Sequence, residues 1–403
     1  MQRGSFQWMK SLNKSIILNK IRISGPISRA QIAKETKLTP PTVGSIVKEL
    51  IEQTIVKESE LGQSQGGRKP TMLMINHSEF YVIGIDVGPQ TVEFILTDLV
   101  GDIKEVLVKP VLHHVTNQQF LELLKAGINE LINQFIKLKD KIIGIGVAMH
   151  GVVDVEAGMS LYAPNLNLRH VPIKEELENT FDYVVKVEND ARSMALGEAW
   201  FGGHEEEANM MVINIGTGVG AGLVIDGKLY HGEYDIAGEV GHMTIDINGQ
   251  KCECGNYGCL QTIISGPAIA ERARQAAKSR DSSVLFELVE GDLSEMTGEF
   301  VYQAALKHDQ LALSIFEEVG GFIGIGLTNL IHIINPCKII IGGGVANAEA
   351  FLLEPIRQTI RKRALTDRAK ETEVVFSRLG EHATSLGAVA LVLVELFKPN
   401  LSE

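Results

Sequence analysis

The most constraining feature of this chain is a cluster of thiols in its second half. Three of its four cysteines lie within eight residues, at Cys252, Cys254 and Cys259. A histidine, His242, precedes the first of them by ten positions. Three thiolates and one imidazole complete the tetrahedral set of a structural zinc site, with no ligand position left for water. The spacing predicts one structural Zn²⁺ per chain. Free thiols are the alternative, and a disulfide would require an oxidising compartment.

Glu239 precedes His242 by about one tight turn. If zinc holds one imidazole nitrogen, the metal fixes the plane of the ring and the other nitrogen can meet a ligand. A carboxylate beside such a histidine is suited to holding the hydroxyl groups of a sugar. The alternative role for Glu239 is that of a solvated loop carboxylate.

The charge of the chain is unevenly distributed. Residues 1–70 contain 12 lysines and arginines against 5 acidic residues, a balance of +7, whereas the net charge of the whole chain is −12. A basic head on an acidic body predicts that only the head meets a polyanion.

The sequence predicts a cytoplasmic protein without membrane insertion, because its N-terminus lacks the pattern of a signal peptide. The most apolar segment, residues 321–345, is interrupted by polar residues and predicts a buried helix and strand. Cys337 in this segment is expected to be a small core residue.

The basic head has the pattern of a winged helix-turn-helix. A long first helix ends at Gly25-Pro26, Ser28 caps a short second helix, and Thr39 caps a third that begins with two prolines. Two strands then flank a glycine-rich tip. We expect the third helix to enter the major groove of DNA and the tip to enter the minor groove. The candidate DNA contacts are Arg29, Thr39, Thr42, Ser45, Lys48, Arg68 and Lys69. The alternative is a three-helix protein-interaction module.

Several predicted strands of the body run directly into glycines. Such turns bring backbone N–H groups close to a phosphate or sugar, although glycines also serve tight packing. Another strand ends in Asn189-Asp190, whose side chains can hydrogen-bond adjacent hydroxyls. Asp190 could act there as a general base, or it could simply cap the next helix.

Together these residues resemble the ROK family (repressors, open reading frames, kinases), and the match extends over nearly the whole chain. The Glu-x-Gly-His and Cys-x-Cys-Gly-x-x-Gly-Cys motifs are typical of that family. The fused head is similar to its repressor branch, especially to the xylose repressors, and also to the glucose- and N-acetylglucosamine-responsive repressors. The resemblance implies an α/β fold with an N-terminal winged helix-turn-helix and a two-lobed, actin/sugar-kinase-like (ribonuclease H-like) body. We expect the head at residues 1–76, the first lobe at 77–190, completed by about 381–403, and the second lobe with the zinc loop and dimer surface at 191–380.

The resemblance also implies site residues. The expected sugar-binding residues are Gly151, Asn189, Asp190, Glu239, His242 and Gln261. Gln261 stands where family kinases have a glutamate, so it offers hydrogen bonds without a negative charge. The expected vestigial nucleotide loops contain Asp86, Gly88, Gly216, Thr217, Gly218 and Gly343.

The first of these loops departs from the kinase pattern. Family kinases have Asp-x-Gly-Gly-Thr, whereas this chain has Pro89 after Gly88. Proline lacks an N–H and has a fixed φ where the backbone of a kinase wraps a phosphate. We therefore expect weak or absent ATP binding, no enzyme activity, and a vestigial base in Asp190.

The expected function is a sugar-responsive, DNA-binding transcriptional repressor of carbohydrate-utilisation genes with a xylose-type inducer. Its expected partners are operator DNA, a small sugar and a second copy of the chain, with tetramer formation left open. One alternative is a sugar kinase with a fused DNA-binding domain. Another is a repressor that is controlled by a sugar-transport protein.

Overall fold

The computed structural model describes residues 2–61, 70–112, 115–204, 207–278 and 283–398. Internal contacts divide the chain into two compact units. The first comprises Met1–Glu188 with Ala388–Glu403, and the second comprises Asn189–Gly387. The expected boundary between head and first lobe at residue 76 is finer than this division and stays a prediction.

The head consists of three helices and a three-stranded antiparallel sheet of order β1-β3-β2. Its elements are α1 (Gln2–Ser24), β1 (Ile27–Ser28), α2 (Arg29–Thr36), α3 (Pro40–Glu52), β2 (Val56–Leu61) and β3 (Thr71–Ile75). This is the arrangement that the sequence pattern predicts, except for β1. With two residues, β1 is too short for a periodic signal, and it exists because Ile27 pairs with Leu73 of β3.

The helices of the head begin where the capping residues predict. The Ser28 side chain accepts a hydrogen bond from the Gln31 N–H at 3.2 Å. The Thr39 side chain accepts one from the Thr42 N–H at 3.4 Å. The apolar faces of the three helices meet in one small core, made by Ile17, Leu18, Ile21, Ile32, Val43, Ile46, Val47 and Leu50.

The body of the first unit is built on a five-stranded sheet of order β11-β7-β4-β5-β6. Its strands and flanking elements are β4 (Tyr81–Val87), β5 (Thr91–Asp98), β6 (Ile103–Pro110), α4 (Asn117–Gln134), β7 (Ile142–Met149), β8 (Val152–Asp154), β9 (Met159–Ala163), β10 (Leu168–Val171), α5 (Ile173–Thr180) and β11 (Val184–Asn189). Central strand β4 is buried almost throughout, whereas edge strand β6 alternates between intermediate and exposed residues. That contrast follows from the covering of the central strands on both faces.

The second unit repeats this plan with a sheet of order β14-β13-β12-β15-β16. Its elements, continuing to the C-terminal helix, are α6 (Asp190–Phe201), β12 (Met210–Ile215), β13 (Val219–Ile225), β14 (Lys228–Tyr230), α7 (Gln261–Ile264), α8 (Gly266–Ala277), α9 (Val284–Leu288), α10 (Gly298–Leu306), α11 (Gln310–Ile334), β15 (Lys338–Gly342), α12 (Glu349–Arg363), α13 (Asp367–Lys370), β16 (Glu373–Phe376) and α14 (Ala383–Phe397). Helix α6 lies directly on the sheet, since a Cβ atom at Gly222 of β13 would stand 2.3 Å from the Ala195 Cβ.

Two long apolar segments pass a composition test for membrane spans, namely α11 and the segment Gly380–Phe397 that contains α14. In each case 61% of the apolar window is buried inside the protein, as in the core helix of a globular domain. The expected buried helix and strand in residues 321–345 are present as part of α11 and as β15. The expectation for Cys337 was wrong, because this residue lies in the exposed turn between them and its thiol donates to Glu207 at 3.1 Å.

The end of α14 contacts the head within the first unit. The carbonyl of Phe397 accepts hydrogen bonds from the Ser15 hydroxyl at 2.5 Å and from the Asn19 amide at 3.2 Å, both on α1. The Arg22 guanidinium stands 6.0 Å from the centre of the Phe397 ring. The last turn of α14 therefore anchors the first helix.

Candidate metal and sugar site

The four predicted metal ligands converge in the second unit. One ligand atom from each of His242, Cys252, Cys254 and Cys259 lies within 4.8 Å of all the others. The Cys252 Sγ stands 3.7 Å from the His242 Nδ1, and the Cys254 Sγ stands 3.7 Å from the Cys259 Sγ. Bonds of about 2.3 Å from zinc to sulfur in a tetrahedron separate two sulfurs by about 3.8 Å. The donor set and its spacing therefore fit a tetrahedral metal ion.

The loop that carries the cysteines is folded by its own backbone. The Cys252 N–H donates to the Asn256 carbonyl at 2.7 Å, and the Ile245 N–H donates to the Gly258 carbonyl at 2.9 Å. Gly258 has φ +67°, and a Cβ atom there would overlap the Asp246 carbonyl oxygen at 1.5 Å. Only glycine fits this position, because both the dihedral angle and the space exclude a side chain.

The pKa values of two of the clustered thiols are shifted in opposite directions. A hydrogen bond from the Asn256 backbone is the main cause that lowers the pKa of the Cys254 thiol. Burial, together with the two neighbouring thiols, raises the pKa of the Cys259 thiol to about 12. Thiolates this close repel one another. A bound cation offsets that repulsion and allows neighbouring thiols to ionise together.

Glu239 and His242 are adjacent, as the sequence predicts. A short turn, Val240–His242, places the His242 Nε2 at 3.8 Å from the Glu239 Oε2 while Nδ1 faces Cys252. The imidazole therefore stands between the thiol cluster and a carboxylate. Burial raises the pKa of the Glu239 carboxyl, although 41% of the side chain is exposed. The nearby charge of Asp190 raises this pKa further, so the two carboxylates share one electrostatic environment.

Asn189 and Asp190 stand at the junction of β11 and α6. Asn189 is the N-cap of α6, and its side-chain oxygen accepts a hydrogen bond from the Arg192 N–H at 3.2 Å. The capping role that the sequence left open for Asp190 thus belongs to Asn189. Asp190 is the first residue of the helix, where a carboxylate interacts favourably with the helix dipole.

Gln261 links the thiol cluster to the second glycine turn, residues 216–218, which follows β12. Its side-chain N–H donates to the Cys252 Sγ at 3.4 Å. Its oxygen faces the turn, since a Cβ atom at Gly218 would stand 3.9 Å from the Gln261 Oε1. An ionised glutamate could not donate to the sulfur, so the amide makes a contact that the family carboxylate cannot make.

The remaining predicted ligand residues divide between the two units. Gly151 lies in the first unit with φ +85°, and a Cβ atom there would meet the Tyr162 carbonyl oxygen at 2.2 Å. Asp86 and Gly88 lie in the same unit, where the Gly88 N–H donates to the Thr91 carbonyl at 3.0 Å and closes a tight hairpin between β4 and β5. Gly216, Thr217, Gly218 and Gly343 lie in the second unit at the ends of β12 and β15.

The predicted DNA contacts that the structure describes lie on α2 and α3. Ser45 and Lys48 are exposed on α3, and the hydroxyls of Thr39 and Thr42 stand 2.8 Å apart at its start. Arg29 on α2 forms an ion pair with Glu58 of β2 at 2.9 Å, so it also ties the second helix to the wing. The last two predicted contacts, Arg68 and Lys69, lie outside the described residues.

The sequence reasoning missed Arg192, which is the largest fully buried side chain in the described structure. It follows the Asn-Asp pair on α6 and stands among small and apolar residues. A cation among the mostly small and apolar residues of this helix is the signal that could have identified it, because buried charges are rare unless they are paired.

Comparisons of sequence identify relatives of this architecture. The ROK family model matches residues 82–395. A xylose repressor from Caldicellulosiruptor bescii is 32% identical over 395 residues, which are 98% of this chain and 98% of that protein. An N-acetylglucosamine repressor from Escherichia coli O6:H1 is 32% identical over 391 residues, which are 97% of this chain and 94% of that protein.

Comparisons of structure give the same relationship. A crystal structure of a ROK family transcriptional regulator, a homologue of the E. coli MLC protein, matches with a TM-score of 0.85 and 30% identity, covering 98% of each chain. A ROK family glucokinase from Streptomyces griseus in complex with glucose and AMPPNP matches with a TM-score of 0.70 and 29% identity, covering 77% of this chain and 98% of that one. By the extent of the family match and by its full-length relatives, this chain belongs to the ROK family.

Proposed function

We propose that this chain is a sugar-responsive transcriptional repressor of carbohydrate-utilisation genes, and that it acts in the cytoplasm. The observation that carries the proposal is the presence, in one ROK chain, of a head with winged helix-turn-helix topology and a site that joins Glu239 and His242. The full-length relatives named as repressors support the same function. The glucokinase covers only 77% of this chain, which supports a repressor over an enzyme.

The head would read operator DNA. Helix α3 presents Thr39, Thr42, Ser45 and Lys48, which suit phosphates and base edges in a major groove. Arg29, Arg68 and Lys69 would add phosphate or minor-groove contacts. Two heads in a homodimer would meet the two halves of a palindromic operator.

The second unit would hold the effector. Asn189, Asp190, Glu239, His242 and Gln261 offer hydrogen-bond donors and acceptors at the N-terminus of α6 and around the thiol cluster. Gly151, in the first unit, is the remaining predicted sugar-binding residue. This chemistry suits the hydroxyl groups of a neutral monosaccharide, and the relatives make xylose and N-acetylglucosamine the first candidates.

A structural Zn²⁺ would be held by His242, Cys252, Cys254 and Cys259. When bound, it would supply a rigid tetrahedral crosslink for the loop and fix the tautomer of His242. The chain itself then positions Glu239, because the carboxylate contacts the imidazole nitrogen that faces away from Cys252.

Kinase activity is the second candidate function, and the first glycine turn argues against it. Pro89 lacks an N–H, and the Gly88 N–H is engaged with the Thr91 carbonyl. The second glycine turn and Asp190 are the features that a kinase would need, so kinase activity is worth testing. Sugar-dependent ATP turnover that disappears in Asp190→Asn would establish an enzyme.

A sugar effector and operator DNA would each lower the affinity of the protein for the other by the same factor. If a sugar lowers operator affinity, DNA lowers sugar affinity equally, and such couplings are typically about 1–3 kcal/mol. Two further proposals are control by a sugar-transport protein and the pairing of dimers into a tetramer. Operator-binding assays address both.

The decisive experiment is operator-fragment binding by the purified protein, titrated with xylose, glucose, N-acetylglucosamine and their phosphates. Release by one sugar supports the repressor and names its effector. Tight binding that no sugar disturbs favours control by a protein partner. If no DNA binds, the repressor proposal fails and ATP turnover with the same sugars becomes the next measurement.

A further inference from the structure

Arg192 is a buried cation beside the proposed sugar site. It is 1% exposed and lies on the first turns of α6, two residues after Asp190. Its Nη1 donates to the carbonyl of Asp235 at 2.7 Å and reaches that of Ala237 at 3.5 Å. Removing a guanidinium from water costs several kcal/mol unless hydrogen bonds satisfy it, so these carbonyl contacts help to offset the cost of its burial.

Both carbonyls belong to the segment that leads into Glu239, which we name the 231–238 loop. The loop is closed on itself by a hydrogen bond from the Ala237 N–H to the His231 carbonyl at 3.0 Å. Its end is fixed to β13, because the Ala221 N–H donates to the Gly238 carbonyl at 2.8 Å. Glu239 follows immediately, so the position of this loop sets the position of that carboxylate.

Two of the large side chains of the loop lie mostly in solvent. Tyr234 is 78% exposed and Ile236 is 54% exposed. Asp235 has a positive φ of 56°, and Gly232 and Gly238 have positive φ values of 76° and 100°. A loop with exposed apolar side chains and an irregular backbone depends on its main-chain hydrogen bonds, and Arg192 supplies the charged donor among those described here.

Arg192 also contacts Asn189, another predicted sugar-binding residue, through its backbone. The Arg192 N–H donates to the side-chain oxygen of Asn189 and so fixes the amide that caps α6. This contact uses the backbone N–H, so it is available to methionine or lysine at position 192. Variants of the side chain therefore remove the guanidinium and leave the helix cap in place. Burial raises the pKa of the Glu239 carboxyl and the guanidinium charge lowers it, so loop exchange is the readout that reports on the loop alone.

We propose that Arg192 is a positioning residue of the effector site, whose guanidinium holds the 231–238 loop so that Glu239 meets the sugar. The role of Arg192 in sugar binding rests on the proposed function. Its role in holding the loop rests on the contacts described above. Arg192 acts through the loop and through Glu239. The site would then recognise its effector only when α6 and the loop are joined.

The test compares Arg192→Met and Arg192→Lys with the wild type in the full-length protein. Methionine fills the space without a donor, whereas lysine keeps the charge and can hold one carbonyl. The matched control is Arg274→Met in the same unit. Arg274 on α8 also anchors a segment by carbonyls, donating to Leu293 at 2.9 Å and to Met296 at 3.4 Å, but this segment carries none of the predicted sugar residues.

Two readouts separate positioning from stability. Amide hydrogen exchange of the 231–238 loop is measured without ligand, and binding of xylose and N-acetylglucosamine is measured by calorimetry without DNA. We expect at least about tenfold weaker sugar binding in Arg192→Met, equivalent to about 1.4 kcal/mol. Exchange of the loop should be faster, Arg192→Lys should lie between the two, and Arg274→Met should resemble the wild type in both readouts.

Unchanged loop exchange in Arg192→Met would overturn the proposal, as would faster exchange with unchanged sugar affinity. If Arg192→Met does not fold, Arg192→Lys decides by the same two readouts. If the wild type binds neither sugar, the proposed xylose or N-acetylglucosamine effector fails and the sugar role of Arg192 fails with it. The exchange measurement still decides, in that case, whether the guanidinium holds the loop.

Discussion

Substituting the two glycines of the cysteine loop provides a sharp test of how its backbone holds the metal ligands. Gly258 and Gly255 both have positive φ values, +67° and +96°. A Cβ atom at Gly255 would meet nothing within 4 Å, whereas one at Gly258 would overlap the Asp246 carbonyl oxygen. Alanine at Gly255 therefore adds only backbone strain, which costs about 1–2 kcal/mol. Alanine at Gly258 adds the same strain and also forces the main chain apart.

The extra cost at Gly258 follows from the hydrogen bonds that must break. The Ile245 N–H donates to the Gly258 carbonyl at 2.9 Å, and the Gly258 N–H donates to the Gln250 carbonyl at 2.8 Å. Each such bond contributes about 1 kcal/mol net, so Gly258→Ala should destabilise the loop by about 3–4 kcal/mol in all. In a unit of this size each kcal/mol lowers Tm by about 2–4 °C. We expect a fall of about 6–16 °C for Gly258→Ala and of about 2–8 °C for Gly255→Ala.

The assays are thermal unfolding and zinc stoichiometry, measured with a chromogenic chelator after purification without added metal. Gly255→Ala should retain one equivalent of zinc, and Gly258→Ala should lose most of it because its ligands no longer converge. Equal zinc content and equal Tm in the two variants would refute the reasoning. Such a result would mean that the loop adjusts freely and that its backbone does not preorganise the ligands.

Three further predictions concern the effector, the operator and a buried carboxyl. Glu239→Ala should bind operator as the wild type does but should not respond to sugar; normal release by sugar would locate the effector elsewhere. Lys48→Ala should weaken operator binding and reduce the slope of log K against log salt by about 1, and an unchanged slope would remove this side chain from the phosphate contacts. Burial raises the pKa of the Glu198 carboxyl, opposed by a hydrogen bond from Ser377. Because the folded-state pKa lies above the unfolded value, stability should fall as pH rises from about 4.5 through the folded pKa. Glu198→Gln should flatten this dependence in Tm measured from pH 4 to 8, and parallel curves would contradict the assignment.

Local signals in the sequence predicted much of the head and of the ligand cluster. Ser28 and Thr39 cap helices because hydroxyl side chains satisfy N–H groups within three residues, a relation that sequence spacing reveals directly. The convergence of three cysteines with His242 is also local, since one loop holds them all. Strands that end in glycine were predictable for the same reason.

Contacts between distant segments were not predictable. Arg192 and Asp235 are 43 positions apart, and their hydrogen bond depends on how α6 packs on β13. Cys337 was misassigned because its sequence neighbours are apolar, while the chain turns outward at that point and leaves the thiol exposed. Apolar neighbours in sequence indicate a buried element and do not indicate which residues stand at its ends.

The two glycine turns of the body differ in a way that bears on the choice between repressor and kinase. In the first turn, the Gly88 N–H is used by the hairpin and Pro89 has no N–H to offer. In the second, Thr217 is exposed and the Gln261 amide lies between the turn and Cys252. A sugar-responsive repressor must bind a sugar but has no need to hold a transferable phosphate. We propose that the first turn binds phosphate poorly while the hydrogen-bonding groups around His242 bind sugar, and this combination would meet that requirement.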